Sequence, residues 1–514
     1  MPDFSSEMQE KSVFRRSVAK KDTEKGLVTE ALLWLALPTL LFLAFWLRVW
    51  LAIILCSALV AAVAVRLSEG AVNFHTSGFR PVRRDSRYYT VFFILLLLLL
   101  LSGIGALTAQ IAGDHVYRNA VFYDLVRRPW PVVYPDGDEG PVTLCYYFGF
   151  WLPAALIGKL TGRILPGDVA QFAYALWGMW IFFRFLFSRF GGRASWVAFL
   201  APLAFGAADL LIGGIADLLL PFQQRWELLI LKDLATEYYS LPPLGVLVVY
   251  VYNQGVASLV ACILLWHERR RPRALLLLYS LMLIQAPYPA MGIFVAMAWR
   301  VLRDFKAFLT WENLAGIIIA AVIGLFFIGN KSHDAAAPVA ESLPTMAMVL
   351  LIFLPLSYGL WLLALWPLLK RNSIFWLTAV PAIIVPLLLS SPHHQDIGYR
   401  ITIPSMLVII VAEIMALRHW RYLPRMRKGL LAIAILLGAY TPGQVLVQTV
   451  DRNIDWLRGE AERKSIYIMG RLEKGEYNDC RSNFVIDGET FFTRYLMRQV
   501  PREDSSVSPR EVVG

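Results

Sequence analysis

The chain has 514 residues, 57% of them hydrophobic and 17% charged, with a mean hydropathy of +0.55. That composition excludes an ordinary soluble enzyme and points to a membrane protein, because ~20 apolar residues per helix cross a hydrocarbon core of ~30 Å and backbone groups in lipid must be satisfied internally. The net charge of +11 would suggest a nucleic-acid partner in a soluble protein; here short basic loops explain it, and no nucleic acid is expected.

The leader 1–27, with Lys11, Arg15, Arg16, Lys20, Lys21 and Lys25, reads as a disordered cytoplasmic tail, and no cleavable signal peptide is expected. Runs 31–47 and 49–67 form a helical hairpin, and 89–111 is a third span leading out. Basic clusters at Arg80 to Arg87, Arg269 to Arg273, Lys370 and Arg371, and Arg418 to Lys428 mark the cytoplasmic side. Loop 112–144 is then external. Apolar runs follow at 146–162, 168–187, 194–220 and 241–266, with Lys159 and Arg163 read as anchors at the inner end of their span. Four full crossings would leave Arg269 to Arg273 outside, so one run is expected to be re-entrant or interfacial, and the sequence does not choose which.

The run 274–301 is interrupted at Ala286 to Pro289 and has arginines at both ends. It is either two half-helices returning to one side or a single kinked span. Runs 312–329, 345–368, 374–389, 401–417 and 429–447 then alternate. The expected fold is an all-α, polytopic transmembrane bundle of roughly 12–14 spans by the ~20-residue criterion, occupying 28–447, with a small external C-terminal appendage over 448–514. Cys56 and Cys262 read as core residues, while a Cys145–Cys480 bridge stays open because spacing does not fix pairing.

Two polar constellations could carry chemistry. Asp114 directly follows the third span, beside His115 and with Arg118 one turn on. A carboxylate at the membrane rim is either a solvated loop group or a base that takes a proton from a hydroxyl acceptor. The second constellation is the external loop Pro392 to Arg400, which holds His393, His394, Asp396 and Tyr399. Arg400 either snorkels at a helix end or binds phosphate through its fork. His393 and His394 suit phosphate or sugar contact rather than a metal, since no third ligand at zinc spacing follows. Glu227, Glu237 and Tyr239 between spans, and Asn253 and Gln254 opening an apolar run, are substrate-lining or capping candidates.

An acidic residue after an early span, a long first external loop rich in Trp and Pro, then Tyr146 to Gly149 and Leu152 to Lys159, together resemble the multi-spanning GT-C glycosyltransferases. The segment Asp396 to Arg400 with Ile403 and Pro404 is similar to a late external loop of bacterial members. The resemblance implies transfer of a sugar from a polyprenyl-phosphate carrier to a glycan or glycolipid acceptor with inversion, on the periplasmic side of a bacterial inner membrane or in the endoplasmic reticulum of a eukaryotic relative. Asp114 would be the general base, and Arg400, with His393 and His394, would hold the donor phosphate. His115, Arg118, Glu227, Glu237, Tyr239, Asn253, Gln254, Asp396 and Tyr399 would line the substrate. Membrane lipids are the surroundings, and no metal or other cofactor is implied. A clear second acidic motif is not found. The rival readings are a transporter or flippase of lipid-linked sugars, an O-antigen polymerase or ligase, and a scaffold without catalysis.

Overall fold

The computed structural model describes residues 4–69, 80, 82–111, 115–137, 140–211, 241, 243–330, 351, 354–388, 394–460, 484–486 and 489–499. Over these residues the chain is an all-α polytopic bundle with one small three-stranded sheet. Six helices are long and apolar enough to span a membrane: Lys25–Trp46, Val49–Ser68, Ile164–Arg189, Trp311–Ile328, Ile397–Arg418 and Arg425–Leu457, accompanied by six shorter apolar helices. The chain is therefore a multi-pass membrane protein.

Helix α1 (Phe4–Trp46) begins in the basic leader, and its membrane-spanning part is Lys25–Trp46. Helix α2 (Val49–Glu69) runs back. Helix α3 (Ser86–Leu101) starts where the Asp85 carboxylate accepts from Tyr88 N at 3.2 Å. It stops short of the apolar run's end because Gly103 and Gly105 take left-handed backbone, φ 77° and 70°. A Cβ on Gly105 would stand 2.2 Å from the Asp168 carbonyl oxygen, so this turn requires glycine twice over, for its φ and for its close approach.

The two ends of the bundle are distinguished by their contacts. At the basic end, Arg66 pairs with Glu268, and Arg83 N donates to Gly192 O at 2.7 Å. Arg273 Nε meets Glu312 Oε1 there at 2.8 Å. At the far end, the turn after α1 is held by Arg48 N donating to Leu496 O at 2.9 Å, and Cys145 N donates to Phe484 O at 2.7 Å.

These contacts identify the run that does not cross. Helix α4 (His115–Arg127) lies in the far-end loop. After it, α5 (Leu152–Thr161) has only ten residues, ended by Gly162 in a left-handed turn at φ 67°, and α6 (Ile164–Arg189) has 26. Ten residues rise ~15 Å, about half a bilayer. Helix α6 finishes at the basic end, where Ser188 O accepts from Arg80 N at 2.9 Å. It therefore starts at the far end, and α5 is the re-entrant element. Lys159 shows the same thing: its Nζ donates to Arg128 O at 2.5 Å and stands 5.5 Å from the Trp130 ring centre, both in the far-end loop. Lys159 and Arg163 are thus not inner anchors. Their charge suggested the wrong side because Lys159 is held by a carbonyl and an aromatic face rather than by a lipid headgroup.

Helix α7 (Trp196–Ala204) leads outward, and α8 (Leu244–Tyr250) and α9 (Tyr252–Glu268) form one apolar run broken at Val251, φ −139° and ψ 36°. Helix α10 (Leu275–Leu283) and α11 (Pro287–Arg303) are the interrupted run. Arg300 Nε returns to Arg269 O at 3.4 Å, so the run is a hairpin with both ends at the basic side, not a kinked span. Its tip meets the turn after the Tyr146–Tyr147 pair, where Gly149 N donates to Ile284 O at 3.2 Å.

Helix α12 (Trp311–Ile328) crosses outward, and Asn330 Nδ2 donates to Cys145 O at 3.3 Å beyond its end. Helices α13 (Leu360–Leu369), α14 (Ser373–Leu388), α15 (His394–Ile401), α16 (Ile403–Arg418), α17 (Arg425–Gly438) and α18 (Tyr440–Leu457) complete the bundle. Cys145 is a free buried thiol donating to Phe326 O at 3.4 Å, and Cys480 lies outside the described residues.

An unexpected sheet closes the far end. Strands β1 (Val133–Gly137) and β2 (Gly140–Leu144) form a hairpin after α4, and β3 (Val485–Ile486) adds antiparallel to β2 with Leu144 opposite Val485. The C-terminal segment is thereby built into the first loop.

Two predictions follow from the helix paths. In a chain whose native cysteines are replaced by alanine, Thr161→Cys reacts with a membrane-impermeant maleimide from the same side as Arg127→Cys and the opposite side from Arg270→Cys; labelling with Arg270→Cys would make α5 a full span. A Cβ on Gly292 would stand 2.1 Å from Ile401 O, the backbone joining α15 to α16. Gly292→Ala is expected to cost about 1–3 kcal/mol by overpacking, read as a lower unfolding temperature in detergent, whereas the same change at Gly324, inside α12 with open space around it, leaves that temperature unchanged or raises it.

Candidate functional site

At the far end the hairpin tip, the Tyr146–Tyr147 pair, α4 and α15 meet around two enclosed arginines. Arg118 on α4 and Arg400 on α15 are 2% and 3% exposed. Arg400 Nη1 donates to Tyr147 Oη at 2.8 Å, and the same oxygen accepts from Tyr146 Oη at 2.5 Å. The guanidinium also faces the rings of Tyr147 and Tyr288, 5.3 and 5.6 Å to their centres. Such burial excludes a snorkelling Arg400. Enclosing an ion costs several kcal/mol, and cation–π contacts of about 0.5–2 kcal/mol each offset part of it.

Both guanidiniums act on the Tyr146 phenol. Burial first, and Tyr147 second, hold that phenol well above its ordinary range, while Arg118 and Arg400 pull it the other way. The field of the two cations therefore overlaps at one point. Arg118 also acts on His115 and on Tyr252, the first residue of α9. Tyr252 Oη accepts from Gln171 Nε2 at 2.6 Å and Trp151 Nε1 at 3.2 Å, and its ring stacks on His115 with centres 6.0 Å apart. The buried carboxylate of Asp168, on α6, reaches the same tyrosine.

Next to this charged half lies a neutral one. Asn253 and Gln254 are fully enclosed, and none of their side-chain polar atoms has a hydrogen-bond partner among the described residues. They do not cap α9: its N-cap is Val251, with no side-chain cap bond. Each unsatisfied buried polar group costs about 1–3 kcal/mol. His115 is similar in part: its ring hydrogen-bonds the Val249 backbone, and its other nitrogen has no hydrogen-bond partner among the described residues.

Of the residues expected from sequence, His115, Arg118, Asn253, Gln254, Tyr399 and Arg400 lie at this end of the bundle, all buried. His394 and Asp396 fall on the backbone of α15, with side chains outside the described residues. Asp114, His393, Glu227, Glu237 and Tyr239 lie wholly outside them. Sequence reading missed Asp168, Gln171, Tyr252 and Tyr288 as members of the site. The signals were present: Asp168 is the one acid in the apolar α6, and Tyr288 stands between Pro287 and Pro289 at the hairpin break.

Compared with family models, curated proteins and solved structures, the chain gives no match. The site is accordingly read from its own geometry.

Burial, and then Arg118, push the His115 imidazole down to about 3. An unfolded histidine titrates near ~6.5, so between these values the unfolded chain binds a proton that the folded chain refuses. The resulting stability is present above ~6.5 and is lost as pH falls toward 3, up to roughly 2 kcal/mol between pH 6.5 and 5. Denaturation in detergent at pH 7 and pH 5 should show this acid loss in the wild type and a smaller one in His115→Gln. An equal loss in both would mean that His115 is already protonated in the folded chain.

Proposed function

We propose that this cluster is the active site of an inverting glycosyltransferase, moving a sugar from a polyprenyl-phosphate carrier to an envelope glycan or glycolipid on the membrane face opposite the basic loops. In a bacterium that face is the periplasmic side of the inner membrane. The observation that carries the reading is the convergence of Arg118 and Arg400 on one tyrosine pair at that end of the bundle. Two enclosed guanidiniums suit the phosphate of a lipid carrier, since charge-assisted fork contacts gain strength out of water.

The acceptor hydroxyl oxygen attacks the anomeric carbon and its proton passes to the Asp114 carboxylate, the residue preceding His115 in the chain. The bond from the anomeric carbon to the phosphate oxygen breaks, and its electron pair leaves with the polyprenyl phosphate. Arg400 and Arg118 stabilise the charge that this phosphate gains. Tyr147 holds Arg400 in place through its phenol oxygen, which Tyr146 also meets.

One observation favours the alternative of a transporter or flippase of lipid-linked sugars. Glu413 on α16 is 1% exposed with no hydrogen-bond partner among the described residues, and ionisable groups inside spans commonly mark transport paths. Movement of a lipid-linked sugar between leaflets of proteoliposomes, without transfer to any acceptor, would select that reading.

The test is glycan analysis of the envelope from a deletion strain complemented at matched protein levels. One sugar is lost in the deletion and restored by wild type. Asp114→Asn and Arg400→Ala each lower transfer by about 10²–10³-fold, and Arg400→Lys recovers little of it because an ammonium lacks the fork. Full restoration by both Asp114→Asn and Arg400→Ala would overturn the reading.

A further inference from the structure

The charged half of the site accounts for the carrier phosphate, and the neutral half is left without a purpose. Asn253 and Gln254 are 0% exposed, follow directly on the break at Val251, and have no partner for any side-chain polar atom among the described residues. Folded proteins pair nearly all buried polar groups, so adjacent unpaired amides call for a specific explanation. A helix broken at depth is a second, independent sign, because interrupted helices are tolerated where they line a protein-enclosed cavity and recur at ligand sites. His115, whose ring hydrogen-bonds the Val249 backbone on the other side of the same break, is a third neutral group and keeps one ring nitrogen without a partner among the described residues.

The chemistry of these groups narrows the ligand. Carboxamides and a neutral imidazole each offer a donor and an acceptor and carry no charge. That set is complementary to hydroxyl groups, which need both roles. A phosphate would prefer the arginines, and a lipid tail would leave the amides unsatisfied. Aromatic faces complete the surroundings: Tyr252 stacks on His115, and Trp151 donates to Tyr252.

We infer that Asn253 and Gln254, with His115, form the subsite that recognises the hydroxyls of the transferred sugar, so that donor selectivity resides at the α8–α9 break while the carrier phosphate is held at Arg118 and Arg400. This rests on the glycosyltransferase reading above. Buried polar atoms that pair only with a ligand discriminate strongly, because a ligand lacking the hydroxyl leaves them unmatched.

The experiment compares the full chain in nanodiscs with Asn253→Leu and Gln254→Met, which keep volume and remove the polar atoms. The probes are bare polyprenyl phosphate and a panel of its hexosyl and pentosyl esters, with binding and unfolding temperature measured for each. Wild type should bind one sugar ester at least about tenfold more tightly than the bare phosphate. Each variant should lose most of that ratio and bind the bare phosphate within about threefold of wild type. Without ligand, the variants should melt at or above the wild-type temperature, since an unpaired polar group has been replaced by a fitting apolar one.

Sugar discrimination that survives in both variants would overturn the subsite while leaving the transferase reading intact. A lower melting temperature of both unliganded variants would also overturn it, by showing that the amides serve the fold. Failure of wild type to bind either the bare phosphate or any ester would remove the transferase reading, and the subsite with it. Arg400→Ala separates the two halves: it should weaken bare phosphate and sugar ester alike and keep their ratio.

Discussion

A carbonyl released by a broken helix must find a donor before it can lie at membrane depth, and the bond from Gly149 N to Ile284 O is where this chain meets that demand. The contact joins the tip of the α10–α11 hairpin to the turn that follows the Tyr146–Tyr147 pair. It brings Tyr288 to Tyr147, 6.0 Å between ring centres, and places both rings around Arg400. Gly292 completes the arrangement from below, since only a residue without Cβ lets α11 touch the backbone at Ile401. Were the hairpin a straight span, the aromatic shell of Arg400 would be incomplete, and an enclosed guanidinium would be too costly at this depth.

That shell sets the division of labour inside the site. Arg118 and Arg400 belong to different elements, α4 and α15, yet their fields overlap at Tyr146. Two cations that act on one buried phenol set up a positive potential around it, and that potential grows stronger as water is excluded. Beside Tyr252 the polarity changes to the uncharged amides of Asn253 and Gln254 and the His115 imidazole, which offer hydrogen-bond capacity without charge.

The bundle itself was legible in the sequence because every span is a run of apolar residues and lipid allows few alternatives to helix. The hairpin was half legible: arginines at both ends and Pro287 and Pro289 within it narrowed the choice to two, and packing against Gly149 decided it. Parity was the opposite case. The run 146–162 is apolar enough to span, and only the left-handed Gly162 and the long α6 behind it reveal a helix of half length. Lys159 misled for a physical reason, since side chains reach backbone carbonyls as readily as headgroups and the sequence does not record which. Arg400 was legible from its position at the start of a late span. Asp168 carried a signal as the one acid of the apolar α6, but the close approach of Gly105 to its carbonyl comes from a turn far away in sequence.

The C-terminal segment was the least legible part, and it bears on how the site is enclosed. Two residues of β3 carry too little β pattern to be seen in advance, and their pairing depends on a partner strand more than 300 residues earlier in the chain. Phe484 stacks on Tyr117 with ring centres 5.8 Å apart and lies 4.7 Å from Tyr146. It therefore covers the outer side of the phenol on which both arginines act. Arg498 and Leu496 fasten the same segment to the turn after α1 through Trp46 O and Arg48 N. Among the described residues this edge is fastened by β3 and by backbone bonds at Phe484, Leu496 and Arg498, and an element so bound opens ahead of the helices it caps, because local opening follows the weakest cooperative unit.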